Sequence, residues 1–186
     1  MKKTLLSIII LCFAALTTFA QDDATPKLSA GFDIGAVTGP ASNTYEEAAG
    51  VSLKLEVPVA SSPLSLTVSA AYSGFITKGG FATGYDTYDG SYSYGSIASF
   101  VPLEVGARVY ASKMFFLEGD VGASFSLNSQ DVSGKSVGLI YAPIAGVSIP
   151  VRSSFIDVSL RYESRVVSNY NFDQIAVRAA FKFGLK

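Results

Sequence analysis

Glu118 and Asp120 stand two residues apart, and on one face of a strand such a pair has the residue types of a general acid–base couple. The rest of the chain gives that couple no help. There is no histidine, which removes the usual base at neutral pH, the commonest zinc ligand and every triad built on imidazole. Gly134-Lys135-Ser136 has the form of the end of a phosphate-binding loop, but Ser129 occupies the first glycine's place and no helical pattern follows. Asp86 and Asp89 have the chemistry to hold calcium, yet they sit in a Gly/Tyr/Ser-rich stretch that reads more simply as a hairpin with packed tyrosines. No catalytic residue, metal site or cofactor is expected.

Glu118 and Asp120 belong instead to a larger set. Asp33, Lys54, Glu56, Glu104, Arg108, Glu118, Asp120, Asp157, Arg161, Glu163, Arg178 and Lys182 all fall on the polar register of segments whose other register is apolar. Leu103-Glu104-Val105-Gly106-Ala107-Arg108-Val109 is the clearest example. Successive side chains of a strand point to opposite faces, so each segment has one greasy face and one face of charges, glycine, serine and alanine. Folding the segments as hairpins places Arg108 near Glu118, Asp33 near Lys54 and Asp157 near Lys182. The expected role is a charge network that fills a lumen. An ion path gated by exchange of these bridges is the sharper alternative.

Eight segments carry the pattern: about Lys27–Val37, Ala49–Val59, Leu64–Tyr72, Tyr94–Tyr110, Phe115–Ser126, Ser136–Ile149, Ile156–Glu163 and Ile175–Phe183. In the sixth the two faces are hard to tell apart. The connections alternate long and short from the first, with a final long loop at about Arg165–Asp173. Outer-membrane barrels have short periplasmic turns and longer external loops, and strands of about ten residues cross a bilayer at a tilt. Tyr110, Phe115, Phe155, Tyr162 and Phe183 lie near strand ends, where aromatic girdles sit. The expected fold is therefore all-β: an eight-stranded antiparallel up-and-down transmembrane β-barrel.

The N-terminus is read as a signal for export. Lys2 and Lys3 precede an apolar stretch from Leu5 to Leu16, and Thr18-Phe19-Ala20 forms a small-x-small cleavage site. The expected division is a cleaved signal peptide at 1–20, a polar leader at 21–26 and the barrel at 27–186. Cys12, the only cysteine, follows Leu11 inside the apolar stretch rather than ending it, which disfavours a lipoprotein signal and leaves the mature chain without disulfides. Losing Lys2 and Lys3 shifts the formal charge from −1 to −3, and no basic block remains to bind nucleic acid. The mean hydropathy of +0.36 is high for a soluble β domain and suits a barrel whose outside meets lipid.

Alternation alone does not say which face is inside. A secreted, lipocalin-like barrel would line a cavity for a small apolar ligand with the greasy register. The small residues and mixed-sign charges of the polar register favour the inverse, because eight strands enclose a space just wide enough for side chains to fill. The second long loop, with Tyr85, Asp86, Tyr88, Asp89, Tyr92 and Tyr94, has the composition of an adaptable recognition surface for an extracellular ligand. Phe100-Val101-Pro102-Leu103-Glu104 and the closing Ala180-Phe181-Lys182-Phe183-Gly184-Leu185, behind the export signal, resemble the small outer-membrane β-barrel family, the OmpA/OmpX-like group that includes chains described as porin family. The resemblance implies a monomer set in outer-membrane lipid of a diderm bacterium by the barrel-assembly machinery. Its members range from structural proteins to adhesins.

Overall fold

The alternating segments pair without a break in the sheet. A computed structural model describes residues 25–60, 62–78, 84–85, 92–93, 97–127, 137–167 and 170–185. In chain order these form β1 (Lys27–Thr38), a 3-10 turn (Gly39–Asn43), β2 (Tyr45–Pro58), β3 (Leu64–Thr77), β4 (Gly84–Tyr85), β5 (Tyr92–Ser93), β6 (Ile97–Tyr110), β7 (Phe115–Ser126), β8 (Val137–Val151), β9 (Ser154–Val167) and β10 (Tyr170–Gly184). The eight long strands close a barrel in which each sequential neighbour is antiparallel and β10 returns to pair with β1. The short strands β4 and β5 form a separate ribbon within the connection from β3 to β6.

The facing is decided by exposure. Phe32 is 54% exposed, Val105 56% and Leu160 56%, whereas Lys54 is 3%, Arg108 2% and Lys182 1% exposed. A contiguous apolar belt of this kind has no place in water, and charges packed inside it are the inverse of a soluble ligand-binding barrel. The chain is a transmembrane barrel, in which closure satisfies the backbone groups that lipid cannot.

Several boundaries differ from the expectation. The last connection is not a long loop over Arg165–Asp173: β9 runs to Val167 and β10 starts at Tyr170. Its ladder continues through Phe172↔Arg165 and Asp173↔Ser164, because Arg165 and Phe172 keep the inward register and have partners inside. Likewise β3 continues to Thr77, and β2 begins at Tyr45 behind a bulge at Tyr45/Glu47. The earlier start of β2 moves the first hairpin by four residues, so Asp33 pairs in register with Gly50 rather than Lys54. In β8 both faces are apolar: Ile140, Ala142 and Ile144 point in, while Leu139 and Tyr141 point out. That explains why the sixth segment had no legible facing. Of the expected girdle, Phe115, Tyr162 and Phe183 face outward, but Tyr110 and Phe155 turn inward at the short-turn end, where cations meet their rings.

Replacing Leu103 or Val105 with Arg is expected to cost about 2–4 kcal/mol, the loss for a charge on the lipid face near the midplane. Urea unfolding in phospholipid vesicles, followed by the gel shift of the folded barrel, measures it. Equal stability of both variants and wild type would place that face elsewhere.

Candidate functional site

The luminal side chains form tiers along the barrel axis. Nearest the short turns, Arg108 on β6 is the hub: its guanidinium binds Glu118 at 2.6 Å, Glu56 at 2.9 Å and Asp157 at 2.8 Å. Lys182 adds contacts to Glu56 at 3.3 Å and Asp157 at 3.1 Å. Lys54, on β2, reaches across to Glu118 and to Asp120 at 2.9 Å on β7. Ser148 donates to Asp157 and Thr67 to Asp120, so the carboxylates have partners beyond the cations.

Asp120 links this tier to the next through Arg161 at 3.5 Å. Arg161, on β9, also binds Glu104 at 2.5 Å and Glu163 at 2.8 Å. Ser69 donates to Glu104 and Gln174 to Glu163. Asp33 and Arg178 face each other across the β1–β10 ladder and are joined through Ser52, which donates to Asp33 at 3.1 Å and accepts from Arg178 at 2.9 Å.

All twelve charged residues of the polar register therefore point into the lumen, Asp33 half-buried and the others buried. Arg108 and Glu118 meet as hairpin neighbours, and Asp157 and Lys182 meet diagonally across β9 and β10. Asp33 and Lys54 are not brought together, for the register reason given above. Of the tyrosine-rich loop, Tyr85 and Tyr92 pair backbone to backbone in the β4–β5 ribbon, and Asp86, Tyr88, Asp89 and Tyr94 lie outside the described residues.

Three features escaped sequence reasoning. Arg165 continues the network upward, binding Glu163 at 2.5 Å and donating to Ser73 at 2.5 Å. It stands two residues after Glu163, so its parity was a usable signal had the strand been carried further. Tyr110 donates to Glu56 at 2.8 Å and accepts from Lys182 at 3.0 Å. The third is an aromatic cluster at the long-loop end. Phe75, Phe100 and Phe172 stack edge to face with centroids 5.2–5.7 Å apart, and Tyr45 leans on Phe75 and Phe172. All are buried with Val37, Ala41, Ala48 and Ala98. Such packing adds roughly 0.5–1.5 kcal/mol per ring pair beyond area burial.

Arg165 joins the two regimes. Its guanidinium lies 5.0 Å from the ring centroids of both Phe75 and Phe100. Those π faces stand where hydrogen-bond acceptors for Nε and Nη1 are missing among the described protein atoms. Below it, between Asp33, Ser52, Glu104, Arg161 and Arg178, the free space is about 20 Å³, room for about one water. Gly106 shows how tight the filling is, since a Cβ there would collide with Asp120 and the Gly119 carbonyl.

Fold and lumen together define the class: a small, eight-stranded membrane β-barrel with a filled interior. No protein-family profile and no curated protein matches the chain. Among solved structures it is similar in fold to the outer membrane protein Ail of Yersinia pestis in a phospholipid bilayer nanodisc, with a TM-score of 0.50 and 15% identity over 87% of this chain and 100% of Ail. Neisserial surface protein A aligns with a TM-score of 0.48 at 12% identity, over 86% of this chain and 97% of its own. A designed transmembrane β-barrel aligns at 0.45 and 12%, over 84% and 94%. At these identities the likeness to Ail is one of fold.

Arg108→Met is expected to destabilise the barrel by about 3–5 kcal/mol, because it leaves three buried carboxylates without their common partner. Ser52→Ala removes only a neutral bridge and is expected to cost about 1–3 kcal/mol. Urea titrations of the two variants in the same vesicles give the ranking, and a smaller loss for Arg108→Met would deny it the role of hub.

Proposed function

We propose that this chain is a non-enzymatic, integral outer-membrane barrel that serves as a closed structural element of the envelope and carries external loops for surface recognition. The observation that supports this best is the double obstruction of the lumen. A continuous network of ion pairs occupies its middle, and the Tyr45–Phe75–Phe100–Phe172 cluster covers the long-loop end. Solute passage needs an open bore, and eight strands filled this way leave none.

In this reading residues 1–20 direct export and are removed, the barrel-assembly machinery inserts the mature chain as a monomer, and the short turns face the periplasm. The outward loops then include the stretch with Tyr85, Asp86, Tyr88, Asp89, Tyr92 and Tyr94, whose composition suits contact with protein or carbohydrate. The residues placed in the lumen have structural work: each carboxylate of the Arg108 tier neutralises a cation that lipid and a narrow bore would otherwise leave unpaired.

Planar-bilayer recording tests the closed lumen. The purified barrel is expected to give a silent membrane, and Phe75→Ala/Phe100→Ala/Phe172→Ala is expected to stay free of porin-sized openings because the charge tiers lie below. Steady openings of porin size from the wild-type chain would overturn the reading in favour of a conducting pore.

A further inference from the structure

The end of the barrel opposite the aromatic cluster is built differently. Between the short turns lies an open cavity of about 260 Å³ whose wall includes Lys27, Lys113, Lys182, Tyr110, Ser112 and Phe155 and, among the described residues, no carboxylate. We propose that this mouth binds a phosphate-type oxyanion, with Lys27 and Lys113 as the direct ligands.

The roles follow from what each group already does. Lys182 is 1% exposed, and its ammonium is committed to Glu56, Asp157 and the Tyr110 hydroxyl. Its charge is thereby balanced, and it closes the floor of the cavity and separates it from the network below. Lys27 and Lys113 have no carboxylate within ion-pair distance among the described residues. Lys27 is instead held 5.0 Å from the centroid of Phe155, which anchors the amine at the mouth while its N–H groups stay free. Lys113 sits exposed in the β6–β7 turn. In the same turn Ser112 Oγ accepts the backbone N–H groups of Met114 and Phe115, which leaves its hydroxyl proton available to the cavity.

Two unpaired ammonium groups and a hydroxyl set around one space suit an anion that carries two charges and several oxygens on a single centre. A planar carboxylate offers one charge and two oxygens, whereas a phosphate dianion matches both the charge and the spread of donors. The field at this end works in the same direction. Arg152 adds a further exposed cation in the β8–β9 turn, and the described carboxylates outside the lumen, Glu46, Glu47 and Asp173, all lie at the opposite end. Among the described residues outside the lumen, the exposed charges at this end are all cations, and a concave opening of that kind concentrates counter-ions. The phosphate belongs either to a soluble ester or to a phospholipid headgroup of the adjoining leaflet, which present the same oxygens.

The test uses the full chain folded in zwitterionic micelles and inorganic phosphate as the probe, titrated by ³¹P NMR against chloride at constant ionic strength. One saturable site is expected. Lys27→Gln and Lys113→Gln should each weaken it by roughly tenfold or more, the loss of one charge-assisted hydrogen bond, while Lys78→Gln, an exposed cation at the opposite end, stays near wild type. Lys113 is in an exposed turn, so its variant keeps the test valid even if Lys27→Gln folds poorly; the heat-modifiable gel band checks both. Absence of saturable binding, or equal binding by wild type and the double variant, overturns the proposal. In nanodiscs, loss of phosphate affinity when phosphatidylglycerol is added supports a headgroup as the occupant. Unchanged affinity supports a soluble phosphate.

Discussion

The closure of β1 against β10 is the constraint from which the rest of this structure follows. In hydrocarbon an open sheet edge leaves N–H and C=O groups with nothing to bind, and each costs several kcal/mol or thereabouts. Here the ladder from Lys27↔Gly184 to Thr38↔Asp173 removes the edge along all of β1. The ladder also demands close contact of the two backbones. A Cβ at Gly31 or Gly35 would press into the carbonyls of Ala179 and Ile175, and the facing residues Ala180 and Ala176 are themselves small. The seam is thus made from residues that let β10 come in, with Asp33 and Arg178 placed between the glycines as the polar pair that faces the lumen.

Closing with eight strands fixes the bore, and the bore sets the chemistry of the interior. The space is too narrow for bulk water and too wide to be filled by glycine, serine and alanine. Long charged side chains span it: Lys54 crosses from β2 to β7, and Arg161 crosses from β9 to Glu104 on β6. Both reach partners on strands that are not their hydrogen-bonded neighbours. These links tie opposite walls together, which a sheet held only by adjacent ladders does not do. At the long-loop end the same bore is filled by rings instead, and Arg165 makes the transition by pairing with Glu163 below and lying on Phe75 and Phe100 above.

The alternation of Leu103 to Val109, repeated along the chain, was enough to read strand number, antiparallel order and the inside-out facing, because those depend on local period and on how hydrophobic one register is. Arg108 and Glu118 were also legible, since a turn of fixed length sets their register. Asp33 was misplaced because its hairpin turn contains a 3-10 segment and β2 starts earlier, at Tyr45, behind a bulge, which no period reveals. The extension of β9 and β10 was hidden for a related reason. Arg165, Ser164 and Asp173 are polar and resemble loop residues; the lumen supplies the partners of Arg165, while Ser164 and Asp173 follow as opposed residues on the outer register of the same ladder. Cross-lumen pairs such as Arg161 with Glu104 were out of reach, as they depend on curvature rather than sequence spacing.

The charged core also answers a problem that an apolar filling would create. A strand that is greasy on both faces has no energetic reason to prefer one facing, and a slip of one residue exchanges them. β8 is the nearest this barrel comes to that condition, with Ile140 and Ile144 inward and Leu139 and Tyr141 outward. Its neighbours prevent the slip. On one side Glu118 and Asp120 on β7, and on the other Asp157 and Arg161 on β9, must point inward to reach Arg108, Lys54 and Glu104. β8 pairs with both strands, so its register is inherited from theirs. Its own contribution is one hydrogen bond, from the uncharged Ser148 hydroxyl to Asp157. The ion pairs therefore do more than fill space. An Arg turned toward lipid is penalised by about 2–4 kcal/mol, so every luminal cation acts as a vote for one facing, and β8, which has no luminal charge, is held by charged neighbours on both sides.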